Sequence, residues 1–145
     1  MSNSNLRQLE GGRAAEAFEF VQQAKKELPD KHHSAYKAYV KKLPMLIKTN
    51  GLGAAYAFVL SKQDTEKSKK GYAYKLIYEQ TYGWLKSDAK VFLLRGKENQ
   101  DLVKTLTELK SHEYRAVTVE VLALLNWLRR FAEGLIAGDE TEVDS

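Results

Sequence analysis

The chain has 145 residues, a length that fits one domain able to remove roughly 70% of its unfolded surface from water and so to fold without disulfides or a structural metal. It contains no cysteine, which excludes a disulfide framework, a thiolate zinc site and a cysteine nucleophile. The polar start Met1 to Leu9 and the lack of an apolar run near ~18 residues predict neither signal peptide nor transmembrane helix. A soluble cytoplasmic protein with no membrane partner is expected.

In chain order, residues 1–12 read as a flexible polar lead ending in Gly11 and Gly12. Residues 13–27 then place Ala14, Ala17, Phe18, Val21 and Ala24 at helical intervals. Pro29 stops that helix, because it disfavours helical geometry at the residue before it. A second helix follows with Tyr36, Tyr39, Val40, Leu43 and Ile47 on its apolar side, and Pro44 is expected to divide it. Asn50 and Gly51 form a turn into a helix over 52–61 that is apolar nearly all round and therefore central. Residues 61–71, SKQDTEKSKKG, carry no large apolar side chain and read as a mobile, solvated connection.

From Tyr72 a further helix runs to about Lys86, and Val91 to Leu94 fits one helical turn for want of a partner strand. Asn99 is the expected cap of a helix through Leu102, Val103 and Leu106 to Leu109, and Ser111 of the next. The last helix, about 112–136, is ~37 Å long at ~1.5 Å per residue. A compact chain of this size has a radius of gyration of ~15 Å. That helix must therefore cross the whole domain. Residues 138–145 form an acidic tail that is expected to stay disordered. The expected architecture is an all-α, single-domain helical bundle of six to seven helices over residues 13–137, with the long helix at its C-terminal end.

The net charge of +4 conceals an asymmetry: residues 1–95 hold 17 Lys or Arg against 9 Asp or Glu, and residues 96–145 hold 6 against 10. Within residues 25–48 the cations Lys25, Lys26, Lys31, Lys37, Lys41, Lys42 and Lys48 face only Glu27 and Asp30. Such a positive face attracts a polyanion, because each ammonium beside a phosphate releases counterions. A solvated helix surface explains the same lysines equally well.

Groups able to support catalysis are few. His32 and His33 are adjacent, so on a helix they diverge by ~100° and cannot grip one metal as an i, i+4 pair does. His112 and the carboxylates at Glu16, Glu19, Glu108 and Glu113 fall on helix surfaces. Neither a catalytic residue nor a metal site nor a cofactor is expected. Gly51-Leu52-Gly53 lacks the strand and further glycine of a nucleotide-binding turn. Its helix-start amides beside Lys48 still offer an anion a seat. The tyrosines follow core stripes, Tyr72 and Tyr74 being those whose burial the pattern fixes least.

Two stretches carry a resemblance. Residues 42–59, KLPMLIKTNGLGAAYAFV, and residues 114–135, YRAVTVEVLALLNWLRRFAEGL, resemble the small-subunit family of the type III-B (Cmr) RNA-guided CRISPR effector complex. The opening helix RAAEAFEFV is similar too, and the likeness runs in order over about residues 13–137. It implies a non-catalytic helical subunit in several copies, stacked inside a ribonucleoprotein filament of antiviral defence. Its partners there would be crRNA, target RNA, other Cmr subunits and further copies of itself. Lys41, Lys42 and Lys48 are then the leading RNA contacts, with Lys25 and Lys26 secondary. Arg129 and Arg130 would meet RNA or a neighbouring copy, or form surface ion pairs. Val119 departs from the resemblance, which places a basic residue there. The charge asymmetry suggests that copies stack basic end to acidic end. A helical protein-interaction adaptor without nucleic-acid contact is the competing reading.

Overall fold

The computed structural model describes residues 3–137, with the side chains of 3–9 and 11 left aside. Six α-helices and two 3₁₀ turns make an all-α single domain, and no strand occurs among the described residues. The helices are α1 (Asn3–Glu27), α2 (His33–Asn50), α3 (Leu52–Lys62), α4 (Tyr72–Leu85), α5 (Leu102–Glu108) and α6 (Ser111–Leu135); the 3₁₀ turns are Asp30–His32 and Val91–Leu94. α6 is the spine: α1 and α2 pack along it, and α2 carries α3 and α4 on another side. Its Val117, Val121, Leu124, Leu125, Leu128 and Ala132 are all buried, a stripe at three- and four-residue spacing that closes the core from one end to the other. Val91–Leu94 is helical as its lack of a partner strand implied, and Leu94 is buried.

Several boundaries differ from those the pattern suggested. α1 begins at Asn3, so residues 3–12 are helical rather than a lead. Helical glycine is unfavourable by roughly 1 kcal/mol against Ala, yet Gly11 and Gly12 lie inside α1. Tertiary contacts outweigh that preference. Trp127 Nε1 donates to Glu10 Oε2 at 2.7 Å, and a Cβ at Gly12 would lie 3.9 Å from the Trp84 ring. The acidic segment 138–145 lies outside the described residues.

Pro44 does not divide the second helix, which is continuous from His33 to Asn50. Proline removes the amide that would bond the Val40 carbonyl. Val40, Leu43 and Ile47, however, form one buried stripe spanning that position and hold the axis together. Asp101 rather than Asn99 caps α5, its carboxylate accepting from Val103 N at 3.1 Å. Ser111 is the first residue of α6 instead of its cap, and Glu113 reaches back to accept from Lys110 N at 2.9 Å. Residues 64–70 are exposed as expected, but the connection is pinned. Asp64 N donates to Gly71 O at 3.1 Å, and Lys67 lies 3.7 Å from Glu27. A Cβ at Gly71 would collide with the Asp64 side chain and the Lys62 carbonyl, so that closure needs glycine.

Candidate nucleic-acid interface

Lys37, Lys41 and Lys48 stand four and seven residues apart on α2, which at ~100° per residue puts them on one stripe. That stripe borders α6. Pro44 and Lys48 from α2 and Leu122, Ala123, Asn126 and Arg129 from α6 line an open groove of about 400 Å³. The floor is apolar and the rim holds two cations and an amide. Lys48 and Arg129 are both exposed, and neither meets an ion-pair or hydrogen-bond partner among the described residues. Lys41 is exposed on the same stripe. The fold thus brings together two of the expected cations from segments 81 residues apart.

The others are placed differently. Lys42 is turned away from the groove by its position on the helix: its Nζ approaches Tyr74 Oη at 3.5 Å and lies 5.1 Å from the Phe58 ring centre. Tyr39 stacks on Tyr74 with ring centres 3.8 Å apart. Burial, with Tyr39 adding to it, pushes the Tyr74 hydroxyl up to about 12, so Tyr74 remains neutral. Lys25 and Lys26 are exposed in the last turn of α1, at the end where Tyr72 and Lys67 meet Glu27. Arg130 packs over Trp127, 5.3 Å from its ring centre.

The seat suggested at Gly51 to Ala54 is partly filled. Gly53 N donates to Tyr114 Oη at 2.7 Å, so a side chain from α6 takes one of the free amides of α3. Gly51 sits at φ 91°, where a side chain is strained. Tyr114 therefore ties one family-like stretch to the other. Tyr36, Tyr56, Tyr72 and Tyr74 are all buried, which gives them packing roles in the core and no ring face open to a nucleic-acid base. His33 Nε2 lies 2.9 Å from the Leu28 carbonyl, while burial and then Lys31 and Lys70 push the His32 imidazole down. Among the described residues no three His, Asp or Glu side chains converge as metal ligands, and no helix is long and apolar enough to cross a membrane.

One polar cluster escaped the sequence reading. Glu120, buried in α6, accepts from Arg13 Nε and Nη2, both at 2.9 Å, from Trp84 Nε1 at 2.8 Å and from Lys90 Nζ at 3.0 Å. Arg13 also binds Glu10 Oε1 at 2.9 Å. Two carboxylates thus balance two cations. Burial alone would raise the Glu120 carboxyl, but the donors Arg13, Trp84 and Lys90 outweigh it and hold the group below the usual carboxylate range. Both oxygens are saturated by donors, which suits a structural clasp and leaves no free base for catalysis.

The sequence pattern of the family described as CRISPR-associated protein (Cas_Cmr5) matches residues 9–135. The chain belongs to the Cmr5 family. Among solved structures it is similar to a crystal structure of a CRISPR-associated Cmr5 family protein from Thermus thermophilus, with 28% identity and a TM-score of 0.66, over 88% of this chain and 97% of that one. In this Cmr5 family member the two stretches that carried the resemblance form α2 with α3 and α6, which are the walls of the groove and the seam closed by Tyr114.

Proposed function

We propose that this Cmr5 family protein is a non-catalytic small subunit of a type III-B ribonucleoprotein effector, stacking in several copies and steadying target RNA on crRNA in antiviral defence. The α2–α6 flank, with Lys41, Lys48 and Arg129, faces RNA phosphates. The observation that carries this reading is the convergence of Lys48 and Arg129 on one open groove with no carboxylate partner among the described residues. A cation held without an anion is the arrangement that phosphate contact requires. Lys42 and Arg130, packed against aromatic rings, contribute less. Lys25 and Lys26 form a second, separate contact at the far end of α1. Photo-cross-linking of target RNA in the assembled complex tests this. Adducts are expected on peptides from residues 41–48 and 126–130, and adducts confined to other subunits would remove the RNA-facing role.

The adaptor reading draws on a different observation. Phe92 and Val119 are 64% and 66% exposed, and large apolar side chains in the open often mark protein contacts. If Phe92→Asp releases the subunit from its complex while Lys48→Ala and Arg129→Ala leave RNA retention intact, that reading replaces the first.

A further inference from the structure

The groove between α2 and α6 holds more than charge. Its floor is Pro44, Leu122 and Ala123, all half-buried, and Ala123 gives it depth because no side chain rises there beyond Cβ. Asn126 stands at the rim, exposed, and its carboxamide meets no hydrogen-bond partner among the described residues. Next to Pro44, Met45 is 66% exposed. Its position between Lys41 and Lys48 puts an apolar side chain on the cationic stripe. A surface that met phosphates alone would need none of these groups, because ammonium and guanidinium ions bind phosphate oxygens without an apolar floor or an amide.

A nucleotide uses all of them. A nucleobase is a flat apolar plate with a polar edge. Once unstacked, it gains by covering its face, and proteins that bind single strands supply that cover with apolar side chains or the plane of an arginine guanidinium. Arg129 lies one turn along α6 from Asn126, on the same face. The base edge then needs hydrogen bonds, and a carboxamide, with two donor hydrogens and an acceptor oxygen, can turn over to match either pattern. The groove volume of about 400 Å³ falls within the ~300–1,000 Å³ typical of sites that enclose small organic ligands. In a duplex the base faces are already stacked and closed to such a floor.

We propose that the α2–α6 groove seats one unpaired, unstacked nucleotide of an RNA strand: Pro44, Leu122 and Ala123 cover the base, Asn126 bonds its edge, and Lys48 and Arg129 hold the flanking phosphates. This rests on the RNA-facing reading of the flank and names what the flank receives. Because Asn126 offers donors and an acceptor alike, the seat tolerates any base. It discriminates instead by pairing. A duplex keeps the phosphate contacts and loses the base, so the seat favours single strands.

The test titrates the full chain with a labelled single-stranded RNA oligonucleotide and with an abasic oligonucleotide of equal length, which keeps the phosphates and lacks the bases. Covering one base should contribute about 10-fold in affinity, near the lower end of what aromatic stacking gives, while both oligonucleotides show the same salt slope. Ala123→Leu, which fills the floor, should abolish that difference. Asn126→Ala and Met45→Ser, at exposed positions that leave the fold intact, should shrink it. A difference that persists in all three variants would put the base elsewhere and overturn the proposal. Equal binding of the two oligonucleotides would overturn it too, and the RNA-facing reading would survive if Lys48→Ala with Arg129→Ala still lowers the slope. If the oligonucleotides bind alike and Ala123→Leu releases the subunit from its assembled complex, the occupant is a neighbouring protein's side chain. A base preference that Ala123→Leu removes, with a slope that Lys48→Ala and Arg129→Ala leave unchanged, would keep the base in the groove and sink the RNA-facing role of the cations.

Discussion

Two regions of this bundle hold cations on α6 or against it, and they treat them oppositely. Around Glu120, Arg13 and Lys90 are drawn inward and matched by Glu120 and Glu10, and both indole N–H groups of the chain complete the pairing. At the groove between α2 and α6, Lys48 and Arg129 remain in water with no ion-pair partner among the described residues. The first arrangement fixes where α1, α4 and α6 meet. The second leaves charge available to a partner. Basic residues are therefore not one population, and their number says less about binding than whether each already has an anion.

The contrast can be broken most forcefully at Glu120. Glu120→Ala strands buried Lys90 and leaves half-buried Arg13 with Glu10 alone, and should cost about 3–5 kcal/mol of stability in chemical denaturation; a loss under about 1 kcal/mol would show that the clasp is dispensable. Its pH signature has a definite sign. A carboxyl held low when folded lends stability that is complete above its unfolded value near 4.5 and fades as pH falls through the lower folded value. Glu120→Gln should flatten that acid limb. Gly51→Ala comes next, at about 1–3 kcal/mol for backbone strain at φ 91°, with the new Cβ 3.3 Å from Tyr114 Oη. Tyr114→Phe, which frees the Gly53 amide, should cost about 1 kcal/mol. At the other extreme, Lys48→Ala with Arg129→Ala should shift stability by no more than about 0.5 kcal/mol. A large loss there would mean that the flank, too, is structural.

Helices and core were legible because their signal is local. The stripe Val117, Val121, Leu124, Leu128 repeats within one segment, and its buried face follows from spacing alone. The clasp was not legible, because Glu120 meets partners 107, 36 and 30 residues away and nothing local distinguishes it from a surface glutamate. The same holds for α1: Glu10 and Gly12 are ordinary lead residues until Trp127 and Trp84 pack against them. Pro44 misled for a related reason, since a local preference for breaking yielded to packing on both sides of it. Of the candidate flank, the sequence offered the cationic residues in α2 and α6. It did not reveal that Lys48 and Arg129 share a groove while Lys42 faces Phe58 and Tyr74.

The salt dependence of target-RNA binding by the assembled effector, carrying either the unaltered subunit or its Lys48→Ala, Arg129→Ala variant, probes the proposed role most directly. Losing two phosphate contacts to a single strand should lower the log-log slope by about 1.4 per copy in contact, with assembly and stability preserved. An unaltered slope in an intact complex would contradict an RNA-facing flank.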